Sequence, residues 1–230
     1  MKLLIIGDPH GKLPKNLSTI IKKNKIEVII CVGDIAPAPI IPKKGETFEQ
    51  ACKRVEKVFK KIIDKLCSYK LPFVTLRGNV YTNTKKNNQV THKIFFPHKN
   101  LYTKKTGRLK IKGEIFILFD MIYEKHSFRN PKGFKQKDYL FNNIRGKKLN
   151  KMLNESEDPV ILSHAPPYGY LDKIDSGKHV GSKILLRAIK KHQPRYVFCG
   201  HIHEAKGKVK IGKTIVYNVG CCGDYVVVDV

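Results

Sequence analysis

Short apolar runs alternate with amphipathic stretches through the first third of the chain. Residues 2–6 are apolar on both faces and predict a buried strand. Pro14 opens a short helical pattern, with Leu17, Ile20 and Ile21 on one side. Residues 26–32 predict a second buried strand, followed by a proline-rich loop over 35–42. A long helix comes next. Phe48, Ala51, Cys52, Val55, Phe59, Ile62, Ile63 and Leu66 fall at 3–4 spacing, and Thr47 with Gln50 makes a capping box at its start. Residues 72–76 predict a third buried strand. The order strand–helix–strand–helix–strand calls for a parallel sheet.

The middle of the chain changes character. Strand-like runs at 93–96, 108–111 and 115–119, with turns expected at Gly107 and Gly113, predict hairpins. Residues 121–145 are polar and read as an irregular excursion. A buried strand is predicted at 159–162. A helix follows over 182–191, with Ser182 as N-cap and Leu185, Leu186 and Ile189 inward. Another strand is predicted at 196–199, and the tail (206–211, 214–218, 225–230) alternates like an antiparallel finish. Neither a repeat nor a linker interrupts the pattern, so residues 1–230 are expected to form a single domain.

Chemistry collects at the strand ends. Asp8-Pro9-His10 follows the first strand, Gly33-Asp34 the second and Gly78-Asn79 the third. His164 follows 159–162, and Gly200-His201-Ile202-His203 follows 196–199. Singly, each has an ordinary reading: Asp8 as an N-cap, Asn79 as a turn residue, His164 as a core histidine. Jointly, five core strands each end on a nitrogen or oxygen donor. On one sheet edge, these ends would form a metal site, because ligands bind at the carboxyl ends of strands in open α/β sheets.

This series resembles the calcineurin-like metallophosphoesterases, and it does so in order along nearly the whole chain. Ser163-His164-Ala165-Pro166-Pro167 and Gly200-His201-Ile202-His203-Glu204 are the most specific stretches. They are similar to small archaeal and bacterial phosphoesterases and to the brain metallophosphoesterase group. The resemblance implies an α/β four-layer sandwich, with two mixed β-sheets flanked by helices. It implies two divalent metal ions, one on Asp8, His10, Asp34 and His203, the other on Asp34, Asn79, His164 and His201. Asp34 would bridge them, and a metal-bridging hydroxide would attack phosphorus. Imidazole and carboxylate ligands suit manganese first, and also iron, nickel, cobalt or zinc.

One position departs from the family. Many members carry a histidine directly after the metal-binding asparagine, where it contacts the phosphate or protonates the leaving group. Here that residue is Val80, which has no proton to give. Some bacterial and archaeal members also lack the histidine, and resemblance to them implies that phosphodiester hydrolysis survives. His179, in a glycine-rich loop before a helix start, and His126, near Arg129 in the irregular stretch, are candidate proton donors. Arg77, beside Gly78-Asn79, is a candidate phosphate contact.

Charge adds a partner class. Lys plus Arg is 45 against 19 Asp plus Glu, a net charge of +26, which favours polyanionic partners such as nucleotides or nucleic acid. Only seven of the basic residues are Arg and the lysines are dispersed, a poor match to base-reading surfaces. The first apolar run ends at Gly7-Asp8, too short for a signal core, and no run spans a membrane. A cytoplasmic protein is expected, its six cysteines reduced. Cys31 and Cys199 read as buried small hydrophobes, and Cys221-Cys222 as a pair buried near the last turn. Three readings follow: a dinuclear phosphoesterase, most simply a phosphodiesterase; a weak or inactive scaffold on the same fold; and a nucleic-acid-binding protein.

Overall fold

The structure is a computed structural model that describes residues 1–79, 98–104, 106–120 and 136–230, with side chains undescribed over 136–142. It divides into two compact units, Met1–Thr103 with Cys221–Val230, and Lys104–Gly220.

The first unit holds a five-stranded mixed sheet. Strands β1 (Lys2–Ile6), β2 (Val28–Cys31), β3 (Phe73–Thr75) and β4 (Leu101–Thr103) run parallel in that order. β11 (Tyr225–Asp229) closes the far edge antiparallel to β1, with Ile6 opposite Tyr225. Helices α1 (Leu17–Lys23) and α2 (Phe48–Cys67) supply the apolar faces that cover it. α1 begins at Leu17 rather than Pro14, after Asn16 in the left-handed region. The Thr47–Gln50 capping box on α2 is formed in both directions. Val55, Phe59, Ile62, Ile63 and Leu66 are buried as the spacing requires, each such side chain contributing roughly 1.5–3 kcal/mol of apolar burial. The stripe stops one turn short: Phe48 is 60% exposed and Cys52 is half-buried.

The second unit holds a six-stranded mixed sheet. Its strands are β5 (Thr106–Ile111), β6 (Glu114–Phe119), β7 (Val160–Ser163), β8 (Tyr196–Cys199), β9 (Gly207–Ile211) and β10 (Thr214–Asn218), in the spatial order β5-β6-β7-β8-β10-β9. β6, β7, β8 and β10 are parallel, while β5 and β9 pair antiparallel at the edges. The β5–β6 hairpin turns on Lys112-Gly113, both at positive φ (49° and 91°), as a two-residue turn of this hand needs. Gly107, expected to turn, lies inside β5 opposite Leu118. Helix α3 (Gln136–Asn154) occupies part of the stretch read as irregular, and Leu149, Met152 and Leu153 from it join the core. Helix α4 (Lys183–His192) is capped by Ser182, whose hydroxyl accepts from Leu185 N–H at 3.0 Å. Leu185 and Ile189 are buried, Leu186 only in part.

The expected single edge is corrected here. β1, β2 and β3 end in one sheet and β7 and β8 in the other, because β4 completes the first sheet before the chain enters the second. The strand expected at 93–96 lies outside the described residues. No helix among the described residues is long and apolar enough to cross a membrane.

Candidate functional site

In the first unit, three turns leave the carboxyl ends of β1, β2 and β3 and bond to one another. Gly7 N–H donates to Asp224 O at 3.0 Å, and Cys222 N–H donates to Asp8 O at 2.9 Å, which fixes the Asp8 backbone. The Asp8 side chain is fully buried. His10 turns back at φ 43° and its N–H donates to Asp34 O at 3.0 Å; Gly11 N–H donates to Ile35 O at 2.9 Å. His10 Nδ1 lies 3.2 Å from Ala36 O. A carbonyl only accepts, so that contact puts the proton on Nδ1 and makes Nε2 the lone-pair nitrogen of the neutral ring. One ligand atom of Asp8 and one of His10 lie within 4.8 Å of each other.

Asp34 sits at φ 40° and is 3% exposed. Its Oδ1 accepts Asn79 N–H at 2.6 Å. Gly78 makes this approach possible: at φ 72°, a Cβ there would lie 2.1 Å from Asp34 Oδ1 and 2.5 Å from Asp34 N. Asn79 and Arg77 are half-buried on either side of it. Beneath these turns Cys31 donates to Gly33 O at 3.4 Å, and burial pushes its thiol pKa up to about 12. It is a neutral filler rather than a thiolate ligand.

The second unit presents imidazoles. His164 is fully buried, and its carbonyl accepts Gly200 N–H at 3.0 Å, tying the turn after β7 to the turn after β8. Ser163 Oγ donates to Ala165 O at 2.8 Å and shapes the same turn. His201, at φ 68°, brings its ring to 4.9 Å from that of His164, with one ligand nitrogen of each within 4.8 Å of the other. His203 opens a 3₁₀ turn, His203–Ala205, and is half-buried.

A buried amide stands behind these histidines. Asn218, at the end of β10, is 1% exposed. Its Nδ2 donates to Ile202 O at 2.7 Å and to Leu171 O at 3.1 Å, and its Oδ1 accepts Gly220 N–H at 3.1 Å. Sequence reasoning missed Asn218. The available signal was its place on the buried face of the alternating strand 214–218, where a polar side chain must find partners.

His179 lies in the loop between β7 and α4, with Nδ1 2.6 Å from Oδ1 of the fully buried Asp172. His126 and Val80 fall outside the described residues. The Cys221-Cys222 expectation is corrected: Cys221 is half-buried and Cys222 exposed. The backbone of this pair packs against Asp8, in a parallel bridge to Cys221, and burial keeps the Cys221 thiol protonated, its pKa about 12.

The donor set fits a divalent cation. Asp8 and Asp34 are buried carboxylates, which cost several kcal/mol unless hydrogen bonds or a cation offset them. Every donor is nitrogen or oxygen, and those near the Asp8 strand end are accompanied by protonated thiols. The family profile of calcineurin-like phosphoesterases matches residues 1–205, a span that contains every one of these donors.

The chain belongs to the calcineurin-like phosphoesterase family.

Among relatives of this calcineurin-like phosphoesterase is MJ1162 of Methanocaldococcus jannaschii, described as uncharacterised. It is 29% identical over 230 residues, covering 95% of this chain and 87% of that protein. Human metallophosphoesterase domain-containing protein 1 is 36% identical over 87 residues, 36% of this chain and 26% of that protein. The fold is shared with a dimetal phosphatase from Danio rerio, at TM-score 0.63 and 11% identity, covering 99% of this chain and 91% of that one. It is also shared with GAP50, described as the anchor in the inner membrane complex of Plasmodium, at TM-score 0.53 and 16% identity, covering 97% and 71%. Family membership and the donor set support a metal-dependent phosphoester hydrolase.

Proposed function

We propose that the chain hydrolyses phosphodiesters with two divalent ions. In this reading one ion, manganese first, is held by Asp8, His10, Asp34 and His203, and the other by Asp34, Asn79, His164 and His201. The observation that carries it is the Asp34 carboxylate: buried, and held by Asn79 N–H at 2.6 Å across a glycine that leaves room for nothing larger. A carboxylate so oriented presents its second oxygen in a fixed direction. His10 is oriented likewise, because its Nδ1–H donates to Ala36 O. Bound divalent ions would polarise the phosphoryl oxygens and lower the pKa of water.

The diester reading rests on the resemblance to bacterial and archaeal members that likewise lack a histidine at the position of Val80. The net charge of +26 draws anionic esters toward the protein in a salt-dependent way, and nucleotides or nucleic acid are the substrate class it suits best. The match over residues 1–205 runs through both units, which supports one phosphoesterase domain over residues 1–230. Six free cysteines fit a reducing compartment such as the cytoplasm.

Metal analysis combined with a substrate screen tests this. The purified protein is expected to carry two divalent ions and to hydrolyse bis-p-nitrophenyl phosphate with manganese, nickel or cobalt. Asp34→Ala is expected to lose both metal and turnover. An Asp34→Ala protein of unchanged rate would sink the mechanism. Val80 also favours a second reading, a catalytically weak scaffold; a metal-replete protein that turns over no ester would select it.

A further inference from the structure

The loop from His164 to α4 closes on itself. Ser182 N–H donates to Pro166 O at 2.7 Å, and Tyr168 N–H donates to Ser182 O at 3.0 Å. Beyond that closure the chain forms a small ribbon, with Ile174 N–H to Lys178 O at 3.0 Å, Val180 N–H to Asp172 O at 3.2 Å, and a turn closed by Gly177 N–H to Ile174 O at 2.7 Å. Asp172 sits inside this ribbon with its side chain fully buried. Its Oδ2 accepts two backbone donors, Gly169 N–H at 2.9 Å and Gly181 N–H at 2.8 Å. Gly181 has no room for a side chain, since a Cβ there would lie 2.7 Å from Pro166 O and 2.8 Å from Asp172 Oδ2.

Those two bonds already clamp the loop, so Oδ1 is not needed for closure. It is given instead to His179 Nδ1 at 2.6 Å. The His179 side chain is 41% exposed, and Nδ1 is the nitrogen given to the carboxylate. A buried carboxylate on Nδ1 fixes the ring, so that a proton on Nε2 is offered in one direction.

An aromatic ring stands beside His179, with a cation over it. The Tyr168 ring lies 5.9 Å from that of His179, and Lys183 Nζ is 4.8 Å from the Tyr168 centroid. The loop is also mounted on the frame of the metal-ligand histidines of its own unit. Leu171, next to Asp172, shares the Asn218 amide with Ile202, which lies between His201 and His203.

The geometry points to His179, oriented by Asp172, as the group that contacts the phosphate ester and protonates the leaving oxygen, the role for which Val80 has no proton. This rests on the hydrolase reading above. In that step a water oxygen forms the new bond to phosphorus and its proton passes to solvent. The ester P–O bond breaks with its electron pair going to the leaving oxygen, which takes the proton from Nε2. The neutral imidazole is reprotonated from solvent. Asp172 is the positioning residue.

Two measurements on the full chain test the assignment. The first follows the histidine ring signals of zinc-loaded, ¹⁵N-histidine-labelled protein by NMR during titration with inorganic phosphate. The His179 signals are expected to shift saturably, and less so in Asp172→Asn. The second compares diesters that differ only in leaving group. His179→Gln is expected to slow an alkyl leaving group about 10²–10⁴-fold and p-nitrophenoxide by less than about tenfold, with metal content and melting temperature unchanged. Equal losses on both esters, or none, overturn the proton role, as do unmoved His179 signals in a protein that hydrolyses esters. If the metal-replete protein hydrolyses nothing, the hydrolase reading itself fails and the proton role falls with it, whatever phosphate does to the signals.

Discussion

In the first unit the donor-bearing turns bond directly to one another: His10 N–H reaches Asp34 O, and Asn79 N–H reaches the Asp34 carboxylate. In the second, the histidine turns meet through His164 O and Gly200 N–H and are backed by a separate residue, Asn218, that carries no donor role itself. The donors differ too. The first unit supplies two buried carboxylates, Asp8 and Asp34, beside His10 and Asn79, while the second supplies three imidazoles. A buried carboxylate needs close hydrogen bonds or a cation to be tolerated at all, whereas an imidazole needs only its proton placed and its ring held. The first arrangement therefore has no slack, and the second has a support that can be altered without touching a ligand.

The largest effect should come from removing the missing slack. Gly78→Ala places a methyl 2.1 Å from Asp34 Oδ1 and adds the left-handed penalty of about 1–2 kcal/mol. Loss of metal and of turnover is the expected outcome, measured by elemental analysis beside the rate. A Gly78→Ala protein with full metal content would show that the Asp34–Asn79 bond does not control the site.

Asn218→Ala should be milder. It strands Leu171 O, Ile202 O and Gly220 N–H, for an expected cost of about 2–4 kcal/mol, read as a lower melting temperature. On the proposed ligand assignment, activity should fall about 10–100-fold. If activity falls while stability is untouched, the amide acts in some way other than as a support.

Thr47→Ala is the control for both. It removes the α2 cap, far along the chain from any donor, and should cost about 1 kcal/mol with no change in rate. A rate that falls with it would mean that activity follows general stability, and the contrast between the two units would lose its force.

Much of this was legible from residue pattern because the signals were local. The capping box at Thr47 and the cap at Ser182 depend on neighbours three residues away, and both formed. The seven candidate ligands stood out because each lies within a few residues of the end of an apolar run. Sheet membership was not, because alternation records which face a residue uses and never which strand lies beside it. Hence five strand ends expected on one edge fell into two sheets. α3 was hidden by its composition. Asn142, Asn143 and Gly146 are weak helix formers, and burial of Leu149, Met152 and Leu153 in the core supplies what local propensity lacks. Asp172 gave no signal either: its partners lie three, seven and nine residues away, across a ribbon that only the folded chain makes.

That ribbon has a consequence for how such a protein can change. Residues 166 and 182 are stitched together at the base, and everything essential to the closure lies at or below Asp172 and Val180. The tip at Asp175-Ser176 makes none of these bonds. Residues can be inserted there, or exchanged for those of a relative, without re-threading β7 or α4. The segment is a replaceable cassette, through which new substrates can be tried while the donors stay where they are.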